Sequence, residues 1–235
     1  MNEKDVLILG ICGSPRRGAT DRALDLALDA AENIEGVYTE KIALYGKDIR
    51  CCKNCNVCVK KETHYCPVIE DDMEERFYDL YLRCDGIILA TPIYYMTATG
   101  LIQNFMSRMK PLSAYARIGV FGTRMGGGIV VGGMRNGGQD FCLSVLNNML
   151  QATGTNIVGG GVQFYNGAAV WSQNEIAPRD QIGMLEAQAL GTKLAYMCKV
   201  VKEGCYHLEG SLNSANFLGY RDQAELAQGS RIRGL

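Results

Sequence analysis

Val6-Leu-Ile-Leu-Gly-Ile-Cys12 runs without a break into Gly13-Ser-Pro-Arg-Arg-Gly18-Ala19-Thr20. A short run of apolar and small residues bounded by turn residues reads as a strand buried on both faces, the kind a parallel sheet produces. Leu24, Ala27, Leu28 and Ala31 then recur at helical spacing. Strand, glycine-bearing loop and helix form the opening of an α/β unit, and the rest of the chain repeats the rhythm.

Val37–Leu44 reads as a second, weaker strand. After a cysteine-rich break, a helix is expected from Ile69, with Ile69, Met73, Phe77, Leu80 and Cys84 on one face and Glu70, Asp71 and Asp72 at its positive end. Gly86-Ile-Ile-Leu-Ala-Thr91 and Gly128-Ile-Val-Val-Gly132 read as buried strands, each followed by a helical pattern. Strand-like residues near 156–163 precede a last helix with Leu190, Leu194, Met197 and Val201 in register. Five alternations predict a doubly wound, five-stranded, mostly parallel sheet covered by helices on both faces. In such a sheet ligands sit in the loops at the carboxyl ends of the strands, here 13–20, 91–98 and 132–139. Residues 1–204 are expected to form this domain, with a cysteine-rich insertion at 48–67. The tail at 205–235 has no clear periodicity and is expected to pack on the domain or on a partner subunit.

Composition narrows the function. At roughly 150 residues per domain, 235 residues make one large domain or one with an appendage. Lysine plus arginine is 24 and aspartate plus glutamate 25, a net charge of −1, which argues against a nucleic-acid binder. No run of about 18 apolar residues exists, so no membrane span is expected. The start runs straight into a strand, leaving no room for a signal peptide, and a cytoplasmic location is expected. Glycine, at 28, is abundant against a background of about 7%. Five of the ten cysteines fall between Cys51 and Cys66, and without a secretion signal such clustering points to metal or redox chemistry before disulfides.

The loop after the first strand has the glycine spacing of a triphosphate loop, but Ala19 stands where the lysine would be. A triphosphate is therefore not expected. A single phosphate held by backbone amides, Ser14, Arg16 and Thr20 fits a helix N-terminus. The alternative is a tight turn with solvated arginines. Thr91-Pro-Ile-Tyr-Tyr95 ends a buried strand, where free amides beside tyrosines offer an edge to a flat heterocycle. Aromatic core residues are the alternative. Gly132-Gly-Met-Arg-Asn-Gly-Gly138-Gln139 lets backbone approach a ligand closely. No complete dinucleotide fingerprint occurs.

Together the three loops resemble the NADPH-dependent FMN reductase family, over roughly residues 5–200. The resemblance implies a flavodoxin-like fold and FMN. It implies phosphate contacts from Ser14, Arg16, Gly18, Ala19 and Thr20, with Ala19 contributing its amide. Flavin contacts are implied from Thr91, Pro92, Ile93, Tyr94 and Tyr95, with Gly133, Asn136, Gly137 and Gly138 near the ring.

Cys52-Lys-Asn-Cys55-Asn-Val-Cys58 with Cys66 is C-x2-C-x2-C-x7-C, followed by Pro67. Three thiols at steps of three surround one small volume, as cubane iron–sulfur clusters require, and proline after the last cysteine recurs in ferredoxin-type runs. Structural zinc more often uses paired knuckles well separated in sequence, though four thiolates suit zinc as well. Unligated thiols are a third reading. Cys51 is an alternative to Cys52. Lys53, Lys60 and Lys61 offset cluster charge or are simply solvated. His64 is a ligand or a loop histidine, and Trp171 has no evident role. The run resembles that of the iron–sulfur flavoproteins of archaea and anaerobes. This implies FMN plus one [4Fe–4S] cluster in a homodimer or homotetramer, with electrons passing between a carrier such as ferredoxin and a small-molecule acceptor. No protein-borne catalytic constellation is apparent, so the expected activity is that of a flavin-dependent oxidoreductase whose cofactors supply the chemistry. An NAD(P)H-dependent flavin or quinone reductase with a structural zinc, or no metal at the cysteine loop, is the alternative, and a flavin-containing sensor without turnover a third.

Overall fold

Every residue of strand β1 (Val6–Cys12) is buried, and its side chains divide between two cores. Leu7, Leu9 and Ile11 join one, Val6, Ile8 and Cys12 the other. Such a strand needs cover on both faces, and the chain provides it. The computed structural model describes residues 4–117, 119–176 and 179–208. The elements after β1 are α1 (Ala19–Glu32), β2 (Val37–Ala43), α2 (Val57–Lys60), α3 (Glu75–Arg83), β3 (Gly86–Tyr94), β4 (Thr97–Ala98) and α4 (Gly100–Ser107). They continue with α5 (Ser113–Arg117), β5 (Met125–Gly132), α6 (Gln139–Gln151), β6 (Asn156–Ile157), β7 (Ala168–Trp171) and α7 (Gln181–Leu208).

The sheet order is β2-β1-β3-β5-β6, and these neighbours are parallel. Seven strands are present among the described residues rather than the five expected. The difference has two local causes. The fifth position is shared: β6 pairs with Met125 and Gly126 at the start of β5, the chain leaves the sheet over 158–167, and β7 returns to pair with Ile129–Gly132. The other extra strand, β4, folds back antiparallel on the end of β3.

α1 and α7 cover one face and α3, α4 and α6 the other. α7 crosses α1 so closely that a Cβ on Gly191 would lie 1.9 Å from the Ala27 carbonyl oxygen, so only glycine permits the contact. The helix expected from Ile69 begins instead at Glu75. The residues before it are committed elsewhere. Asp48 N–H donates to Asp72 Oδ2 at 2.6 Å, Asp72 N–H donates to the Asp48 carbonyl at 2.9 Å, and Arg50 N–H donates to Asp71 Oδ2 at 2.9 Å. These bonds pin 71–73 against 48–50 and leave Asp71 and Asp72 outside any helix N-terminus. Of the expected tail, residues 205–208 still belong to α7, and 209–235 lie outside the described residues. No helix of the described residues is long and apolar enough to cross a membrane.

Candidate functional site

At the carboxyl ends of the central strands a cleft is lined by Ser14, Arg16, Gly18, Ala19, Thr20, Pro92, Ile93, Tyr94 and Gly133. All nine were singled out in the sequence, and the sheet brings their three loops to one place. Val131, Ser172, Asn174, Glu175 and Ile176 complete the lining.

The phosphate-loop half is built from backbone. Ser14 is buried, its hydroxyl donating to the Arg16 carbonyl at 2.6 Å, while Arg16 N–H points back to it at 3.3 Å. This turn delivers the chain to Gly18, the N-cap of α1, and no side chain caps the helix. The first-turn amides of a 14-residue helix therefore face the cleft without an internal acceptor, where an anion is favoured. Gly18 lines this space, and a Cβ there would meet no protein atom within 4 Å. Arg17 turns away, its Nε donating to Tyr45 Oη at 2.6 Å.

Thr91 does not line the cleft. It is fully buried, its hydroxyl donates to the Pro92 carbonyl at 2.9 Å, and it accepts from Thr99 N–H at 3.1 Å. Thr99 in turn donates to the Gly13 carbonyl at 2.6 Å and caps α4. The two threonines thus fix the phosphate loop against the end of β3. Tyr95 does not line the cleft either. With Met96 it forms the two-residue turn between β3 and β4, both at positive φ (49° and 68°), and it is fully exposed. Positive φ is expected of Asn-Gly in such hairpins and costs about 1–3 kcal/mol for other residues. Asn136, Gly137 and Gly138 also stand outside the lining. Gly137 N–H donates to Gln139 Oε1 at 2.8 Å, and Gly138, at φ 94°, begins α6 with Met96 packed where a Cβ would project.

The insertion builds a second cavity. Cys52, Cys55, Cys58 and Cys66 line it together, with Lys53, Arg108 and Lys110 among the other lining residues. α2 and three left-handed residues, Asn54, Asn56 and Glu62, shape the loop. Asn54 N–H donates to Cys52 Sγ at 3.4 Å. Burial pushes the Cys58 thiol above its ordinary range; a backbone amide at Val59 opposes this, and the neighbouring Cys66, Cys52 and Cys55 add to it. Among the described residues no group of three or more His, Cys, Asp or Glu is arranged to hold a single metal ion. Cys51 is exposed and does not line the cavity; its Sγ lies 3.9 Å from Ser107 Oγ. His64 does not line it and bonds Tyr115 Oη at 2.7 Å. Cys12, Cys84, Cys142 and Cys198 are buried in the core, while Cys205 is exposed.

One helix joins the two sites. α4, about 12 Å long for its eight residues, starts at Thr99 beside the phosphate loop. It ends at Ser107, whose hydroxyl accepts from Cys52 N–H at 3.2 Å.

The model of the family described as NADPH-dependent FMN reductase matches residues 6–169. The chain belongs to that family. An iron–sulfur flavoprotein of Methanocaldococcus jannaschii is 34% identical over 200 residues, covering 83% of this chain and 99% of its own. An iron–sulfur flavoprotein of Archaeoglobus fulgidus is 36% identical over 172 residues, covering 72% and 85%. Within the FMN reductase family the chain is thus an iron–sulfur flavoprotein relative, and its class is that of a flavin-dependent oxidoreductase. Among solved structures, a flavodoxin, WrbA-like protein from Agrobacterium tumefaciens superposes with a TM-score of 0.59 at 16% identity, covering 83% of this chain and 99% of that one, which shows the flavodoxin-like fold. The cleft residues after β7, namely Ser172, Asn174, Glu175 and Ile176, escaped the sequence reading. The signal was there in Ala168-Ala-Val-Trp171, a short apolar strand whose following loop had to reach the same end of the sheet.

Proposed function

We propose that the strand-end cleft binds FMN and the cysteine loop a [4Fe–4S] cluster. The protein then passes electrons between a one-electron carrier such as ferredoxin and a small-molecule two-electron acceptor. The observation that carries the reading is the convergence of four cysteines, and not Cys51, on one cavity joined by α4 to an anion-ready cleft. A flavin exchanges one or two electrons and a cluster exchanges one, so together they interconvert the two currencies.

The residues fit both groups. Uncapped amides of α1, the Arg16 side chain and the open space at Gly18 suit one phosphate, and no second phosphate cradle is present among the lining residues. Pro92, Ile93 and Tyr94 line the cleft with partly apolar side chains that suit the ring system. At the other site the four thiols line one cavity, and a set of four thiolates is what a cubane cluster takes as ligands. The buried cation Arg108 lines that volume, which suits an anionic occupant. The exposed apolar residues Tyr95, Met96 and Met134 on the loops, with Phe141 in the first turn of α6, support assembly as a homodimer or homotetramer.

The test is electron flow. Under anaerobic conditions, reduced ferredoxin should reduce the bound flavin through the cluster, with the broad cluster absorbance bleaching first. Flavin reduction by ferredoxin at an unchanged rate in protein stripped of iron would overturn the route.

A further inference from the structure

Arg108 is the most deeply buried cation beside the cysteine cavity, with 1% of its side chain exposed. It is the C-cap residue of α4, and its guanidinium is fixed. One Nη donates to Asp71, whose side chain is fully buried, and also to the Arg50 carbonyl at 3.2 Å. Asp71 is itself held by the N–H groups of Arg50 and Met73. The guanidinium is therefore anchored through one Nη, and its charge lies within electrostatic range of Cys66. Burial pulls its pKa down, but the bond to Asp71 more than reverses this, so it stays charged. The Tyr78 hydroxyl is buried beside the guanidinium, and burial pushes it up to about 12, so it brings no negative charge. No carboxylate lines the cavity, and Asp71 stands outside it.

We propose that Arg108 is the buried charge that sets the reduction potential of the cluster held by Cys52, Cys55, Cys58 and Cys66. The inference rests on the cluster reading above. Taking up one electron makes a thiolate-ligated cluster one charge more negative, so a fixed cation beside it favours the reduced form and raises the potential. Lys53 and Lys110 also line the cavity, but Lys53 is exposed and Lys110 partly so, and salt screens such charges while a buried one is screened much less. Asp71, bonded to the same guanidinium, opposes the effect, but it does not line the cavity, and Arg108 rather than Asp71 feels Cys66.

The test is a mediated redox titration of the holoprotein prepared without oxygen. Breaking a buried pair at one end risks unfolding, so both partners are replaced together, as Arg108→Gln with Asp71→Asn and, separately, as Arg108→Met with Asp71→Leu. Either double variant that retains iron and FMN should show a cluster potential lowered about tenfold in the reduction equilibrium, 59 mV for one electron, at low and high salt alike. Arg108→Lys should keep most of the wild-type potential, and the FMN potential should not move. A double variant with full cluster and unchanged potential overturns the inference and leaves the cluster reading intact. So does a pair of double variants that fold but hold no cluster, which would make Arg108 a structural tie for the loop. Wild-type protein without iron overturns the cluster reading itself.

Discussion

The strand-end cleft and the cysteine cavity are built by opposite means. The cleft is made from what every residue possesses: the amides of α1, an extended Gly18, and a loop pinned by Thr99 to the Gly13 carbonyl. The cavity is made from four particular side chains on a loop whose backbone relies on left-handed Asn54, Asn56 and Glu62. The cleft's contacts are spread over many groups, so any one of its side chains matters modestly. The cavity's contacts are concentrated, so one substitution decides its fate. The comparison also explains how the insertion is tolerated. It is tied down by residues of α4 and the segment after it, with Asn104 donating to the Ile49 carbonyl at 2.8 Å, Ser107 accepting from Cys52 N–H at 3.2 Å and Lys110 donating to Asn54 Oδ1 at 2.8 Å, all outside the strand-end loops.

The sharpest contrast should come from Cys58→Ala. It removes a buried thiol from the cavity wall, and cluster iron and brown colour should be lost completely while FMN stays bound at wild-type stoichiometry. Cys51→Ala should leave the iron content unchanged. Equal loss from both, measured by iron and sulfide analysis, would erase the distinction between the cavity wall and its surroundings.

Next in size is Asp71→Asn. The Asp71 carboxyl sits below the usual carboxylate range: burial would raise it, but Arg108 and the amides of Arg50 and Met73 overcome that. A carboxyl whose folded pKa lies below its unfolded one stabilises the protein at pH above the unfolded value, and that contribution disappears as pH falls through the folded one. The variant leaves a buried guanidinium unpaired, and the expected loss is about 3–5 kcal/mol near neutrality. The gap to wild type should narrow below about pH 4. Denaturant unfolding at several pH values checks this, and a gap independent of pH would remove Asp71 from the loop's anchorage.

Smaller still is Arg16→Ala. One charge-assisted contact to a phosphate is worth about 1.5–3 kcal/mol, or roughly 10- to 150-fold in FMN affinity, and the cluster should be untouched. Titration of flavin-free protein gives the value. Complete loss of FMN binding would mean that the cleft, too, depends on a single side chain.

How far the sequence foretold each region follows the same division. β1, β3 and β5 announce themselves because strands buried on both faces carry no polar alternation, and their order with the helices yields the doubly wound sheet. The fifth position was harder, since β6 has two residues, β7 has four, and the excursion at 158–167 separates them. Its loop therefore went unassigned, and with it Ser172, Asn174, Glu175 and Ile176. The helix expected from Ile69 shows the limit of periodicity. The apolar spacing was helical, but Asp71 and Asp72 are spent on long-range bonds that no local pattern records. Thr91 illustrates a related limit: its place beside Pro92 suggested a ligand contact, while its hydroxyl is used inside the protein to hold Thr99. Cysteine spacing was more informative, because four thiols on a short loop have few ways to miss one another, and the choice of Cys52 over Cys51 matches the cavity lining.

The most direct measurement is the iron, sulfide, zinc and flavin content of one anaerobic preparation grown with iron available. The account predicts about four irons, four sulfides and one FMN per chain, with no zinc. One zinc per chain without iron, or FAD in place of FMN, would contradict it.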